Sequence, residues 1–465
     1  MKILLISVPV LEGVLSDSPP SIGLAYIASA LIKKEYNVSV LDINGCGYNF
    51  DDVENILKDY EFDFVGISGL VTQYSYIKKL TCLIKLLHPD KKIIIGGYIG
   101  STVSKLLLTK TLADIVVIGE GEITIVELIK ALQENADIST IAGLAFKKNS
   151  EIIFTKPREL IANIDLISFP AWDLFQISSF FSNSKERAMP ILTSRGCPFH
   201  CIFCYDSFGK KMRFRSPENI IAEIKELKSK YNITKLHFYD ETFTVNRERA
   251  KEICNMLIQE DLDIKWECTG RVNCIDEELL EIMKEAGLIS ILYGIESGSQ
   301  RVLDEMNKGV TVEQASKAVR LTKKIGINMS TPLMMGSPCE SEETIEESIR
   351  FFTKENIYGH IVFQTPYPGA QLWDYALEKG LIKDEEKYIE NSGSFSVLHV
   401  NLTDMSDQRL LEFKHYAEKK IFWSFFIKNL PQIISKIVIQ GKKEGYKSIL
   451  ANITLIVKMI RQFIR

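Results

Sequence analysis

Five short apolar runs mark the first part of the chain: KILLISV, VSVLDI, FVGIS, KIIIGG and DIVVIG. Each is rich in Ile and Val and is bounded by turn residues. Between them lie segments with helical spacing, such as GLAYIASALIKKEY and YIKKLTCLIKLL. Buried parallel strands joined by helices have this pattern. It predicts an α/β fold that opens with a doubly wound, Rossmann-like sheet over residues 1–145. Such sheets bind ligands beyond the carboxyl ends of their strands. There the chain carries Pro19-Pro20-Ser21-Ile22-Gly23-Leu24, Ser68-Gly69, Gly96-Gly97 and Gly119-Glu120-Gly121-Glu122. Glycines in these places let backbone come close to a large ligand. No G-x-G-x-x-G follows the first strand, which weakens a dinucleotide reading.

A connecting region, 146–187, holds a strand-like EIIFTK and then Pro157, Pro170 and Trp172. A second strand–helix rhythm runs over 188–395. Its strand candidates are PILTS, KLHFYD, IKWECTG, SILYGIES, INMSTPLMMG and HIVFQTP, separated by helical stretches such as PENIIAEIKELKSKY and EELLEIMKEAG. Six units are too few for an eight-unit barrel, so a partial (β/α)6 barrel is expected, with its site at the carboxyl ends of the strands. The tail, 396–465, reads as helical. From Ile421 onward it has eight Lys or Arg against one acid, Glu444, with an aromatic knot of Phe422, Trp423, Phe425 and Phe426. Lys428 and Pro431 interrupt it, so it is not a spanning helix. Its last segment, KSILANITLIVKMIRQFIR, is amphipathic with a basic face. Either it docks on the barrel or it lies on a membrane surface.

The 465 residues allow two or three domains, and the apolar and charged fractions are ordinary for a globular protein. A net charge of -4 argues against a general nucleic-acid binder. The start, MKILLISVP, ends at a proline and lacks a cleavage site, so no secretory leader is expected. Nine cysteines, an odd number, point to a reducing, cytoplasmic setting. There is no short-period repeat.

Three of the cysteines change the picture. TSRGCPFHCIFCYD places Cys197, Cys201 and Cys204 in a C-x3-C-x2-C spacing. Three thiolates there suit three irons of a [4Fe–4S] cluster. Four-cysteine clusters are the common arrangement, so one iron lacks a protein ligand and stays open, as at a catalytic metal. Zinc with His200 as fourth ligand is the competing reading, and chance clustering of buried thiols is the other.

The loop RGCPFHCIFCYD, with Phe203 at the aromatic position before the third cysteine, resembles the signature of the radical S-adenosylmethionine (radical SAM) enzymes. Further elements follow it on successive strands. Phe238-Tyr239-Asp240-Glu241-Thr242-Phe243 stands where the family contacts the methionine amino group. Arg271, and Glu296 in YGIESGSQ, resemble positions that hold the carboxylate and ribose of SAM. Gly336, in LMMGSPCESEET, resembles the backbone that meets adenine. Taken singly, these residues also read as a helix cap at Asp240 and Glu241, a rim ion pair at Arg271, and turn glycines at Gly298 and Gly336.

PPSIGLAYIASAL, GISGL, GGYIGST and GEGEITIVEL resemble the B12-binding domain that precedes the barrel in one radical SAM group. TPYPGAQLWDYA and MNKGVTVEQ are similar to that group's barrel. The resemblance spans residues 1–390. It implies that Pro20, Gly23, Leu24, Ser68, Gly96 and Gly97 contact cobalamin, together with Gly119 and Gly121. It departs at Ile99, where the family often has His, and in lacking a D-x-H-x-x-G motif. Asp42-Ile43-Asn44-Gly45-Cys46-Gly47 offers Asn44 instead, so no His below cobalt is expected.

The resemblance further implies reductive cleavage of SAM to a 5′-deoxyadenosyl radical and methylation of an unactivated carbon, or of phosphorus in rarer relatives. Ring-forming chemistry is the alternative on the same two domains. An enzyme that has lost cobalamin and a non-catalytic iron–sulfur sensor are two more. Partners implied are a small-molecule substrate and a low-potential donor such as flavodoxin or ferredoxin. Tyr293, Met334, Met335, Gln364 and Tyr367 are candidates for the barrel interior. Nothing in the chain identifies the substrate.

Overall fold

A computed structural model describes residues 1–9, 20–182, 186–205 and 208–444. The membrane reading of segment 447–465 therefore lies outside the described residues. The chain forms two compact units. The first comprises 1–270, 274–291 and 366–394; the second comprises 271–273, 292–365 and the chain from 395 onward.

The first unit opens with the expected sheet. Strands β1 (Lys2–Ser7), β2 (Asn37–Asp42), β3 (Phe64–Ser68), β4 (Lys92–Gly96) and β5 (Ile115–Val117) are parallel, in the order β2-β1-β3-β4-β5. They coincide with the five apolar runs. Their central residues are buried because helices such as Ile22–Ile32, Tyr74–Leu87 and Gly121–Gln133 join successive strands. Strand order reverses between β1 and β3, where a ligand crevice is expected.

The sheet continues past residue 145. Strands β6 (Leu144–Lys148) and β7 (Glu151–Phe154) add an antiparallel hairpin to β5. Its two-residue loop is Asn149-Ser150, with φ of 49° and 69°, the left-handed pair that a tight hairpin requires. The expected connecting region thus begins inside the sheet.

In the same unit β8 (Ala188–Ile191) pairs in parallel with β11 (Lys235–Phe238), which pairs with β12 (Lys265–Gly270). β13 (Leu288–Tyr293) follows. Leu236, Phe238 and Trp266 alternate onto one buried face, where the rings of Phe238, Phe243 and Trp266 meet. The short strands β9 (Ser194–Arg195) and β10 (Arg213–Phe214) pair antiparallel, so the cysteine segment is the loop of a hairpin. The segment 366–394 returns to this unit: Leu372 N–H donates to Ile202 O (2.9 Å), and Glu386 accepts from Lys78 (2.7 Å) and Tyr74 (3.0 Å).

The second unit holds the end of β13, β14 (Asn328–Ser330), β15 (Leu333–Met335) and β16 (Ile361–Phe363). The run INMSTPLMMG is two strands because Pro332 interrupts it. β15 and β16 pair in parallel. The helix Asp407–Glu444 docks here through Leu410, Phe413, Ala417, Ile421 and Phe422, all buried. Arg409 ties it to Glu342 (2.7 Å) and Lys420 to Glu346 (3.2 Å). Docking is thus the observed state of the described part of the tail.

Candidate active site

The cysteine loop leaves β9 at Gly196, whose φ of +96° only glycine tolerates easily; a Cβ there would lie 2.6 Å from Lys211 O. Cys197 N–H donates to Gly209 O and Cys204 N–H to Cys201 O, both at 3.2 Å. All three thiols are unbridged and at least partly exposed. Burial pushes the Cys197 thiol up, and the nearby Glu241 and Cys201 charges add to this. Among the described residues no three Cys, His, Asp or Glu side chains converge as a metal site, neither the cysteines nor a set with His200. The donor set nevertheless fits an iron–sulfur cluster with one open iron. It offers three cysteines on one loop, none in a disulfide.

Asp240 is buried, and its carboxylate is fully engaged. It accepts from Thr193 N–H (2.6 Å), Ser194 N–H (3.2 Å), Thr193 Oγ1 (2.5 Å) and Ser194 Oγ (2.7 Å). The carboxylate pins the segment that enters the cysteine hairpin. It does not cap the next helix, whose N-cap is Asn246. Glu241, only partly buried, stands close enough to influence Cys197. Phe203 is half-buried within the loop.

The second unit carries the remaining SAM candidates. Arg271 is buried, and its Nε donates to Asn273 Oδ1 (3.0 Å). Glu296 has φ +68°, a strained value for a non-glycine residue and a common mark of a functional position. Its Oε1 pairs with Lys308 Nζ (3.0 Å), and both side chains are buried. Lys308 comes from the MNKGVTVEQ segment, a motif visible in the sequence, but its pairing with Glu296 is visible only in the fold. Gly336, φ +94°, donates its N–H to Glu340. Burial pushes the Glu340 carboxyl up to about 8, against the pull of the Gly336 and Ser337 amides.

At the carboxyl edge of the first sheet, Gly23, Gly97 and Gly119 are exposed. A Cβ at Gly23 or Gly119 would meet nothing within 4 Å, and Gly119 has φ +79°. Gly119 N–H donates to Ser101 Oγ (2.9 Å), which donates to Gly97 O (3.2 Å). Ser68 lies under Gly97, whose Cβ would fall 2.7 Å from Ser68 Oγ. Pro20 and Leu24 are buried beside the helix N-cap Ser21, and Gly96 is half-buried at the end of β4. This open, glycine-lined edge fits a broad planar ligand. Ile99 is fully buried, and its N–H bonds Gly69 O (3.1 Å), so it belongs to the core. Asn44 is buried in the short helix Ile43–Cys46.

Between this edge and the cysteine hairpin lies a dry ionic cluster that the sequence did not disclose. Arg195 on β9 faces Arg213 on β10 across the hairpin base. Glu120 Oε1 accepts from both Arg195 Nη1 and Arg213 Nη1, each at 2.8 Å, and its Oε2 accepts from Ile161 N–H (2.7 Å). Glu122 Oε1 accepts from Arg195 Nη2 (2.5 Å). The four side chains are 10% exposed or less. Tyr26 and Phe208 lie at 5.5 and 5.1 Å from the Arg195 guanidinium carbon.

The family models agree with this arrangement. The radical SAM superfamily model matches residues 191–352, and the B12 binding domain model matches residues 10–129. The chain belongs to the radical SAM enzymes that carry a B12-binding domain, whose cofactors are a [4Fe–4S] cluster, SAM and cobalamin. It is 35% identical over 82% of its length to an uncharacterized methyltransferase, PH0819, of Pyrococcus horikoshii, of which it covers 84%. It is 29% identical over 79% of its length to the anaerobic magnesium-protoporphyrin IX monomethyl ester cyclase of Rubrivivax gelatinosus, covering 68% of that protein. Its fold matches that of the radical SAM methyltransferase TsrM of Kitasatospora setae, with cobalamin and a [4Fe–4S] cluster bound. The TM-score is 0.68 at 18% identity, over 82% of this chain and 75% of that one.

Proposed function

We propose that the protein methylates an unactivated carbon of a small molecule. The observation that carries this is the shared body of the two cofactor regions: the open glycine edge and the cysteine hairpin fold in one compact unit. When bound, the cluster with SAM supplies a 5′-deoxyadenosyl radical that takes hydrogen from carbon, and the corrinoid supplies the methyl group. The chain's own part is placement. Cys197, Cys201 and Cys204 hold the cluster. Phe203 shields it, and Asp240 fixes the approach to the loop while Glu241 stands at its side. Arg271, Glu296 and the Gly336 backbone hold SAM, with Lys308 keeping the Glu296 carboxylate in place. The glycine edge, with Gly23, Gly97 and Gly119 exposed, would hold the corrinoid, which would supply the methyl group.

The test uses the anaerobically reconstituted protein with hydroxocobalamin, reductant and SAM. A methyltransferase that restores its methyl group from a second SAM yields S-adenosylhomocysteine as well as 5′-deoxyadenosine. Formation of 5′-deoxyadenosine without S-adenosylhomocysteine would favour ring-forming chemistry, the activity of the Rubrivivax relative. Neither product would leave the iron–sulfur sensor.

The electron donor in this reading is a flavodoxin or ferredoxin, and the setting is cytoplasmic. Among the described residues no helix is long and apolar enough to cross a membrane. Peripheral membrane contact would draw on Ile427, Leu430 and Ile434, exposed on the tail helix. Co-sedimentation with anionic vesicles tests it, and absence from the pellet would remove it.

A further inference from the structure

The G-E-G-E segment has two faces. Gly119 is exposed at the edge where the corrinoid is placed, and a side chain there would meet empty space. Glu120, the next residue, points the other way and is almost wholly buried against the cysteine hairpin. Gly121 opens the helix Gly121–Gln133, and a Cβ there would press on Ile27, 2.8 Å away. Glu122 again turns to Arg195. Adjacent residues of one turn, Gly119 and Glu120, therefore face the glycine edge and the cysteine hairpin respectively.

The hairpin base explains why this matters. Arg195 and Arg213 are directly paired across β9 and β10. Like charges in that position repel and open a two-stranded pair. They are buried, so water does not screen them. The Glu120 carboxylate lies between them and bonds both guanidinium groups. Arg213 also donates to Phe208 O (2.8 Å) and Ile161 O (3.0 Å), which ties the returning arm of the cysteine loop to the same point. The cysteine hairpin is closed at its base by an acid from the loop that meets the corrinoid.

We propose that Glu120 is a positioning residue that couples the two cofactor sites, so that filling the cluster site tightens corrinoid binding and filling the corrinoid site orders the cysteine hairpin. This rests on the reading that the glycine edge binds cobalamin. Coupling of this kind is reciprocal and commonly amounts to about 5- to 150-fold in affinity.

The experiment titrates hydroxocobalamin into cluster-free and cluster-reconstituted full-length protein under anaerobic conditions. In the wild type, reconstitution lowers the Kd by at least about 5-fold. In Glu120→Gln the two Kd values coincide, whatever their absolute size. Glu122→Gln removes a bond to Arg195 and leaves Glu120 on both arginines, so it shows an intermediate ratio; it serves as the probe if Glu120→Gln does not fold. Hydrogen exchange over residues 194–214 slows on adding hydroxocobalamin to the wild type and does not respond in Glu120→Gln. A purely structural Glu120 would lower the unfolding temperature while leaving the wild-type affinity ratio intact. That result, or equal Kd values in the wild type, overturns the proposal. Wild-type protein that retains no corrinoid in either state removes the underlying reading, and the proposal with it.

Discussion

The base of the cysteine hairpin and the strand ends of the second unit are both buried and polar, yet they differ in completeness. At the hairpin base nearly every polar atom has a partner within the chain, Arg213 Nε being the exception. Asp240, beside it, makes four hydrogen bonds. In the second unit Glu296 Oε2, Ser299 Oγ, Glu340 Oε1 and both polar atoms of Gln364 are buried without a partner among the described residues. Leaving such groups unpaired is costly in a folded chain. The first region is finished by the chain itself and acts as a mount. The second leaves polar groups open, and in the proposed reading a ligand completes it and it acts as a receptor.

The largest effect is expected at what the mount carries. Cys201→Ala removes one of the three proposed cluster ligands, so iron content should fall and 5′-deoxyadenosine formation drop to background. Turnover at the wild-type rate would contradict the cluster assignment.

Removing the acid from the mount should follow. Glu120→Ala removes the carboxylate that bridges Arg195 and Arg213 and leaves Glu122, bonded to Arg195, as the remaining acid of the described cluster. Breaking a buried ion pair from one side costs about 3–5 kcal/mol, read as a lower denaturant midpoint. A loss within experimental error would show that the cluster is wetter than the structure has it.

In the receptor the effect moves from stability to binding. Glu296→Gln should weaken SAM binding by about 10- to 150-fold, the worth of a hydrogen bond to a charged group. Gln364→Leu sharpens the contrast. Removing an unpartnered buried carboxamide should leave the ligand-free protein as stable as the wild type or stabilise it by about 1–3 kcal/mol. A marked fall in unfolding temperature would mean that the carboxamide is bonded within the chain.

The smallest effect is a pH dependence. Glu340 keeps its proton in the folded chain up to about 8, whereas the unfolded chain releases it near the ordinary carboxylate value. Its contribution to folding is therefore complete in acid, below the unfolded value, and is lost as pH rises through about 8. Glu340→Gln should flatten the slope of unfolding temperature against pH across that window.

Most of the scaffold was legible because it is written locally. The Ile- and Val-rich runs became β1 to β5, and all six barrel strand candidates hold strands, two of them split: PILTS between β8 and β9, and INMSTPLMMG at Pro332. The cysteine loop was legible by spacing. What escaped depends on contacts distant along the chain. Asp240 is bound by residues 46 and 47 positions earlier. Glu120 meets arginines 75 and 93 positions later. In the sequence Glu120 is one acid in a turn, and only the paired strands β9 and β10 show why two arginines need it. The hairpin β6–β7 did have a local signal, the Asn149-Ser150 turn.

The most direct measurement is the absorption spectrum of protein purified without oxygen, reconstituted with iron and sulfide, loaded with hydroxocobalamin and freed of excess. Stoichiometric corrinoid bands are expected beside the broad iron–sulfur absorption. An iron–sulfur band without retained corrinoid would contradict this expectation and leave a radical SAM enzyme whose first sheet serves another purpose.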